Sequence, residues 1–389
     1  MHRRPAALAA AATLSIALAG PAAARSLPGT PVPRGFVGMN VDGPMLTPQD
    51  GAAMPSEFYT MRADGVQSVR VPFSWAAAQP YQSWSEVPPS QTAQFGSGAG
   101  GVPTDFGTTD QIVLLSAGRG MSVLPIVEYV PPWDAAPRSC NPKEVTCLKR
   151  PLDDGPYGEY LTTLIRRYGP TGTFWSLHPN LPRRPIRMWE VWNEPDIIDF
   201  WPTQPFARSF VALLGVAHTA VKRADSGAKV VLAGIPNFVS RDLDAIYRIP
   251  GARKLFDVVD AHPYTKYPTG VITILKQVRA TMRQAGDARK PIIVGEGGWP
   301  SSLGQTRKLF DFETTELGQA RNLRALLPLL AANRRRLGLS AFYWYTWMGD
   351  EYKGAFEFNF SGLLRFHDGG VFTKPALSAF DQVTHTIEK

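Results

Sequence analysis

The chain has 389 residues, 44% hydrophobic and 19% charged, and its 10 Trp, 12 Tyr and 20 Phe make it too apolar for disorder. That length allows one large core or two ordinary ones. The formal charge of +8 comes from scattered basic residues with local clusters at "PRRPIR" and "RRLG". With no Lys/Arg stripe interleaved with aromatics, these read as solvated faces, and no nucleic-acid partner is expected.

In chain order, the first element is a secretory signal: Arg3 and Arg4, the run "AALAAAATLSIALAG", and an Ala-x-Ala site ending at Ala24. Residues 1–24 are the expected signal and 25–389 the mature chain, secreted to an extracellular or periplasmic space. The twin arginines raise the folded-export route. As a membrane anchor the run is short and interrupted by Thr13 and Ser15, and no later run is long enough to span a bilayer. Loss of Arg3 and Arg4 takes the charge from +8 to +6. Cys140 and Cys147 lie in "SCNPKEVTC"; one even pair in an exported chain implies a disulfide, since a zinc pair needs further Cys or His ligands nearby.

Eight β-rich runs follow: "RGFVGMNV", "SVRVPFSW", "SVLPIVEY", "IRMWEVWNEP", "KVVLAGIP", "DVVDAHPY", "PIIVGEGGWP" and "SAFYWYTW". Helical patterns separate them, among them "YGEYLTTLIRRYG", "DLDAIYRIPGARKLF" and "TTELGQARNLRALLPLLAANRRRLG", and "KPALSAFDQVTHTI" would be the eighth helix. Several carry apolar residues at i, i+3, i+4 and i+7 and end at Gly. Strict alternation of strand and helix predicts a parallel sheet, and eight repeats predict an α/β (β/α)8 TIM barrel in a single domain. An open doubly wound sheet should carry G-x-G-x-x-G after its first strand, which "GMNVDGPM" lacks. The connections at 76–107 and 130–152 are long and rich in Pro, Gly, Ser and Trp, as suits loops on the C-terminal face of a barrel.

Glu194 in "WNEP" ends the fourth run and Glu296 in "VGEGGWPSS" ends the seventh, 102 positions apart. That is about three βα units, so both side chains are expected to open on one face. Paired carboxylates across a cleft suit glycoside hydrolysis, in which one protonates the leaving oxygen and the other attacks the anomeric carbon or activates water. An acid in an apolar, Trp-lined pocket stays protonated, and a nearby cation keeps its partner ionised. Arg70 in "VRVPFSW" is the candidate cation; its other reading is a barrel-interior arginine paired with Glu190.

On "WNEP" and "EGGWPS" in this order, the mature chain resembles glycoside hydrolase clan A. It looks most like its family five and family thirty-nine types, while "GEGGWPS" is also similar to family seventeen β-glucanases. The resemblance implies a retaining hydrolase of a β-linked carbohydrate, with Glu194 as acid/base and Glu296 as nucleophile. It implies that Asn193 bonds a sugar hydroxyl, that His262 or Tyr264 in "DAHPYTKYP" orients the nucleophile, and that a tryptophan of the eighth strand is a sugar platform. Trp347 is chosen over Trp344 because it is nearer the strand's end; a structural His and a core Tyr stay open for the sixth strand.

Trp133 and Trp299, with Trp75 and Trp201, sit just past other strand ends and are subsite or loop-core candidates. Glu128 in "IVEYVPPW" could bind a sugar hydroxyl or form a salt bridge. No His/Cys/Asp/Glu cluster has metal-ligand spacing and no G-x-S-x-G elbow appears, so neither metal nor cofactor is expected. The expected protein is a monomer acting on carbohydrate; a transglycosylase remodelling a cell-surface glycan, or a barrel that binds glycan without cutting it, are the alternatives.

Overall fold

The computed structural model describes residues 31–46, 53–136, 149–236, 238–306, 310–352 and 354–388. The expected signal at 1–24 and the Cys140–Cys147 pairing lie outside the described residues.

Each of the eight β-rich runs forms a strand: β1 Val37–Asn40, β2 Ser68–Ser74, β3 Ser122–Glu128, β4 Met188–Asn193, β5 Lys229–Pro236, β6 Val259–His262, β7 Ile292–Gly297 and β8 Leu339–Trp344. Every strand pairs in parallel with its sequence neighbours, and β8 returns to β1, which closes a (β/α)8 barrel. The crossovers are α1 Met54–Ala63, α2 Gly107–Gly118, α3 Asp154–Tyr168, α4 Ala207–Ala224, α5 Val239–Tyr247, α6 Pro268–Gln284, α7 Glu316–Leu337 and α8 Pro375–Ile387. Val32 N–H donates to the Ile387 carbonyl at 3.0 Å, tying the approach to β1 to the end of α8. No helix among the described residues is long and apolar enough to cross a membrane.

Local chemistry sets the helix ends. Asp153 caps α3 by accepting from Gly155 N–H at 2.9 Å, and Thr315 caps α7 by accepting from Gly318 N–H at 3.2 Å. Gly338, at φ 64°, stops α7 in the left-handed region. The single helix expected over "DLDAIYRIPGARKLF" is instead α5 followed by a turn at Ala252–Lys254. Pro250 has no N–H to continue the helix, and Gly251 at φ 85° reverses the chain.

Alternation along the strands sends Val69, Val71 and Phe73 of β2 towards the helices and Arg70 into the barrel. Inside, Leu124, Val231, Val258, Ile293, Ala341 and Tyr343 form a separate apolar plug. Above it the interior turns polar, with Arg70, Glu190 and Asp260 all fully or almost fully buried. The β6 side chains need room on both sides. A Cβ on Gly234 would lie 1.9 Å from His262 Nε2, and one on Gly295 would lie 1.9 Å from Asp260 Oδ2. Glycine at these two strand positions lets ionisable side chains cross the interior.

Two excursions rise from the C-terminal face. After β2 the chain makes a short helix Trp75–Ala78 and an antiparallel pair, Phe95–Ser97 with Pro103–Asp105. After β8 it builds a three-stranded sheet from Met348–Asp350, Leu364–His367 and Gly370–Thr373, which the sequence analysis does not anticipate. Lys374 anchors this second excursion through Glu351 at 2.7 Å and the Phe360 carbonyl at 2.9 Å, both buried.

Candidate active site

The C-terminal ends of β2, β4, β6 and β7 bring six of the sequence-derived residues together. Arg70 is the hub. Its Nε and Nη2 donate to Glu190 at 2.8 and 2.7 Å, Nη2 also to Asn193 Oδ1 at 2.9 Å, and Nη1 to Glu296 Oε1 at 2.8 Å and Asn40 Oδ1 at 2.9 Å. The two readings of Arg70 are therefore both present: it pairs with Glu190 inside the barrel and supplies a cation to Glu296. Only a guanidinium has the fork to do both.

Glu296 accepts a second hydrogen bond, from the Tyr264 hydroxyl to Oε2 at 2.9 Å. Glu194 instead meets His262, with Nδ1 2.7 Å from Oε1. The same nitrogen is 3.6 Å from Glu296 Oε2, and ligand-type atoms of Glu194, His262 and Glu296 lie within 4.8 Å of one another. His262 therefore sits between the two carboxylates. Both glutamates are only 8% exposed.

The backbone delivers Glu194 by an unusual bend. Trp192 and Glu194 have φ of 69° and 42°, sparsely populated for non-glycine residues, yet Asn193 stays in register with Gly234 and Glu194 N–H bonds the Gly234 carbonyl at 3.0 Å. Trp192 leaves the interior and packs between Tyr157 and Trp201. Strain of this kind persists where surrounding structure over-determines it.

Burial pushes the Glu194 carboxyl above the usual range; His262 pulls against that rise and the charge of Glu296 adds to it. Burial alone would lower His262, but Glu296, Asp260 and Glu194 outweigh it and carry the imidazole up to about 10. A shift in that direction favours the imidazolium, whose Nδ1–H donates to Glu194. Burial, with Glu190 and Glu296 adding and Arg70 opposing, raises Glu128 to about 8. It is 3% exposed, bonded by Tyr129, and its Oε2 has no partner.

Among the described residues, two buried sets have metal-ligand geometry in space, Glu190/Asp260/His262 and Glu194/His262/Glu296, although their sequence spacing is irregular. Arg70 Nε lies 3.7 Å from Asp260 and supplies a positive charge to the first set.

The predicted tryptophans lie elsewhere. Trp347 is 0% exposed and donates its indole N–H to Glu57 at 2.8 Å, and Trp299 is 1% exposed with its N–H on the Thr265 carbonyl at 2.7 Å. Neither has a ring face open to a ligand, which corrects their expected placement as sugar platforms. Trp344 is also buried, with its N–H on the Ser361 carbonyl at 3.2 Å. Trp133 is half-buried, edge-on to Trp75, and donates to the Gln79 carbonyl at 2.8 Å; Trp75 and Trp201 are core.

Sequence reasoning missed Asn40, Asp42, Asp260 and Tyr345. Asp42 accepts from Thr346 Oγ1 at 2.6 Å and is hydrogen-bonded by Tyr345, whose half-buried ring stands beside Glu296. The signal for Asp260 was present in "DVVDAHPY": two-residue spacing puts it on the same face as His262.

Neither a family model nor a curated protein matches the chain. Among solved structures it is similar to a family 39 glycoside hydrolase from Bacteroides cellulosilyticus, at 18% identity and TM-score 0.57, over 91% of this chain and 64% of that one. It is also similar to a GH39 β-xylosidase from Caulobacter crescentus, at 17% and 0.59 over 93% and 73%, and to the GH53 catalytic domain of Ignisphaera aggregans, at 19% and 0.58 over 91% and 99%. The chain spans just under two thirds of the first of these. What it shares with them is the barrel fold.

Proposed function

We propose that the chain is a secreted, retaining glycoside hydrolase that cleaves a β-linked carbohydrate by double displacement. The observation that carries this reading is the unequal treatment of two carboxyl groups whose oxygens approach within 4.8 Å. Retaining enzymes hold theirs about 5 to 5.5 Å apart, with the acid kept protonated and the nucleophile ionised. Here Glu296 receives hydrogen bonds from Arg70 and Tyr264, while burial raises Glu194.

In the first step Glu296 attacks the anomeric carbon, the glycosidic C–O bond breaks, and Glu194 gives its proton to the leaving oxygen. His262 bonds Glu194 Oε1, which leaves Oε2 to carry that proton. In the second step water attacks the same carbon, gives its proton to Glu194, and releases Glu296. Asn193, held by Arg70, is placed to meet a hydroxyl beside the reacting carbon. The apolar run and Ala-x-Ala site before Arg25 support export. The similarity in fold to glycoside hydrolases adds to the reading.

The test is nucleophile replacement. Glu296→Ala should lower turnover by at least roughly 10³-fold, and azide should restore reaction of a 2,4-dinitrophenyl β-glycoside to give a glycosyl azide of inverted configuration. Wild-type activity in Glu296→Ala would end the proposal.

A further inference from the structure

The ring order sets β1, β2 and β3 across the barrel from β6 and its His262. Two further carboxyl groups rise from that wall. Glu128 ends β3 on the same alternation as Leu124 of the interior plug and Ile126, which aims it into the cleft. Asp42 follows β1 on the same alternation as Asn40, which faces Arg70, and Val41 N–H keeps that stretch bonded to the Arg70 carbonyl at 2.9 Å. A half-buried tyrosine donates to each, Tyr129 to Glu128 and Tyr345 to Asp42, and the charge of Glu296 is felt at both.

The cation that bears on both carboxyls cannot hydrogen-bond either. Arg70 has five N–H donors, and all are spent on Glu190, Asn193, Asn40 and Glu296. Glu128 is 3% exposed and its Oε2 meets no donor. A buried carboxyl in that state is costly unless a ligand completes it. A metal ion does not fit: among the described residues, neither Asp42 nor Glu128 belongs to a trio whose ligand atoms converge on one point. What the wall lacks is donors and positive charge, and a protonated amine brings three N–H groups with one charge. Burial raises both carboxyls, so an arriving ammonium takes the place of a bound proton.

Asn193 limits where that amine sits. Arg70 only donates, so Asn193 turns Oδ1 to it and leaves its NH2 for the sugar, where a hydroxyl can accept and an ammonium cannot. We infer that Asp42 and Glu128 select an amino sugar at the reacting position, with its free amine on a carbon other than the one beside the anomeric centre. The inference rests on the glycoside hydrolase reading and names the class of substrate within it.

The experiment compares 2,4-dinitrophenyl β-D-glucoside and β-D-galactoside with analogues in which one hydroxyl, at C2, C3, C4 or C6, is replaced by an amine. An amine at C3, C4 or C6 should raise kcat/KM over the parent by about tenfold or more, the order of one charge-assisted hydrogen bond, and an amine at C2 should not. Acetylating the favoured amine should remove the gain. Glu128→Gln and Asp42→Asn should each cut the amine-to-parent ratio by about tenfold, a readout that a merely structural role leaves unmoved. Parent glycosides preferred over every amine, or a ratio that survives both substitutions, overturns the inference. Labelling of Glu296 by the 2-deoxy-2-fluoro forms of the parents, read by intact mass, reports separately on the catalytic reading. Labelled enzyme without an amine preference sinks only the specificity; no label and no turnover of any probe sinks the reading beneath it as well.

Discussion

Arg70 grips Glu190 with two N–H groups while a third reaches Glu296 Oε1 at 2.8 Å. One buried guanidinium thus holds a structural carboxylate and a candidate nucleophile in a single rigid frame. Arg70→Lys keeps the charge and loses the fork. We expect it to cost about 3–5 kcal/mol in urea denaturation, because Glu190 is left buried with an incomplete partner. Activity should fall with it, and a lysine variant of wild-type stability would show that the frame is not needed.

Tyr264 offers a gentler probe of the same carboxylate. Tyr264→Phe removes only the hydroxyl that donates to Glu296 Oε2, leaving the ring stacked on Phe312. The expected result is a drop of roughly 10- to 100-fold in kcat with stability changed by no more than about 1.5 kcal/mol. Steady-state kinetics beside thermal melting separate the two effects.

Glu128 predicts a pH-dependent gain. Its carboxyl titrates at about 8 in the fold against 4.5 for an ordinary glutamate, so the folded state binds the proton more tightly than the unfolded chain between those values. The stability it contributes is therefore complete below 4.5 and lost as pH rises through 8. Glu128→Gln mimics the protonated form at every pH. It should match wild type near pH 4.5 and be more stable by up to about 4–5 kcal/mol at pH 8.5, with a slope no steeper than about 1.4 kcal/mol per pH unit. A constant difference across that range in urea midpoints would refute the assignment.

Trp347→Phe tests the corrected placement. It deletes the indole bond to Glu57 and leaves an aromatic ring in the core. Stability should fall by about 1 kcal/mol, with KM unchanged on any glycan the enzyme cleaves. A large rise in KM would return Trp347 to the substrate.

Gly234→Ala should be a severe change for its size. Its new methyl would overlap His262 Nε2, on a buried side chain that cannot swing into solvent. A loss of 3 kcal/mol or more, on the order of severe overpacking, or failure to fold is expected, readable from soluble yield and circular dichroism. Normal folding would mean that β6 can shift its interior side chains.

The barrel was legible because parallel strands buried on both faces leave long apolar runs, and regular alternation with helices leaves few topologies. The places of Glu194 and Glu296 followed, since strand ends define the reacting face. Trp347 was misplaced because alternation within β8 does not extend past Trp344, where the chain leaves the barrel and turns its indole back onto α1. The ring cluster at Phe358 was invisible for a related reason. Its partners Tyr264, Phe312 and Tyr345 come from three different strand-to-helix connections, and only the side-by-side pairing of β6, β7 and β8 brings them together.

The hydrogen bond from Val32 to Ile387 gives the molecule a polarity. Strands run from the end where the chain enters and leaves to the end where the carboxylates gather, so both ends of the ring are fastened on the side away from the cleft. Any tether, tag or neighbouring module joined there hangs behind the cup and leaves its mouth free.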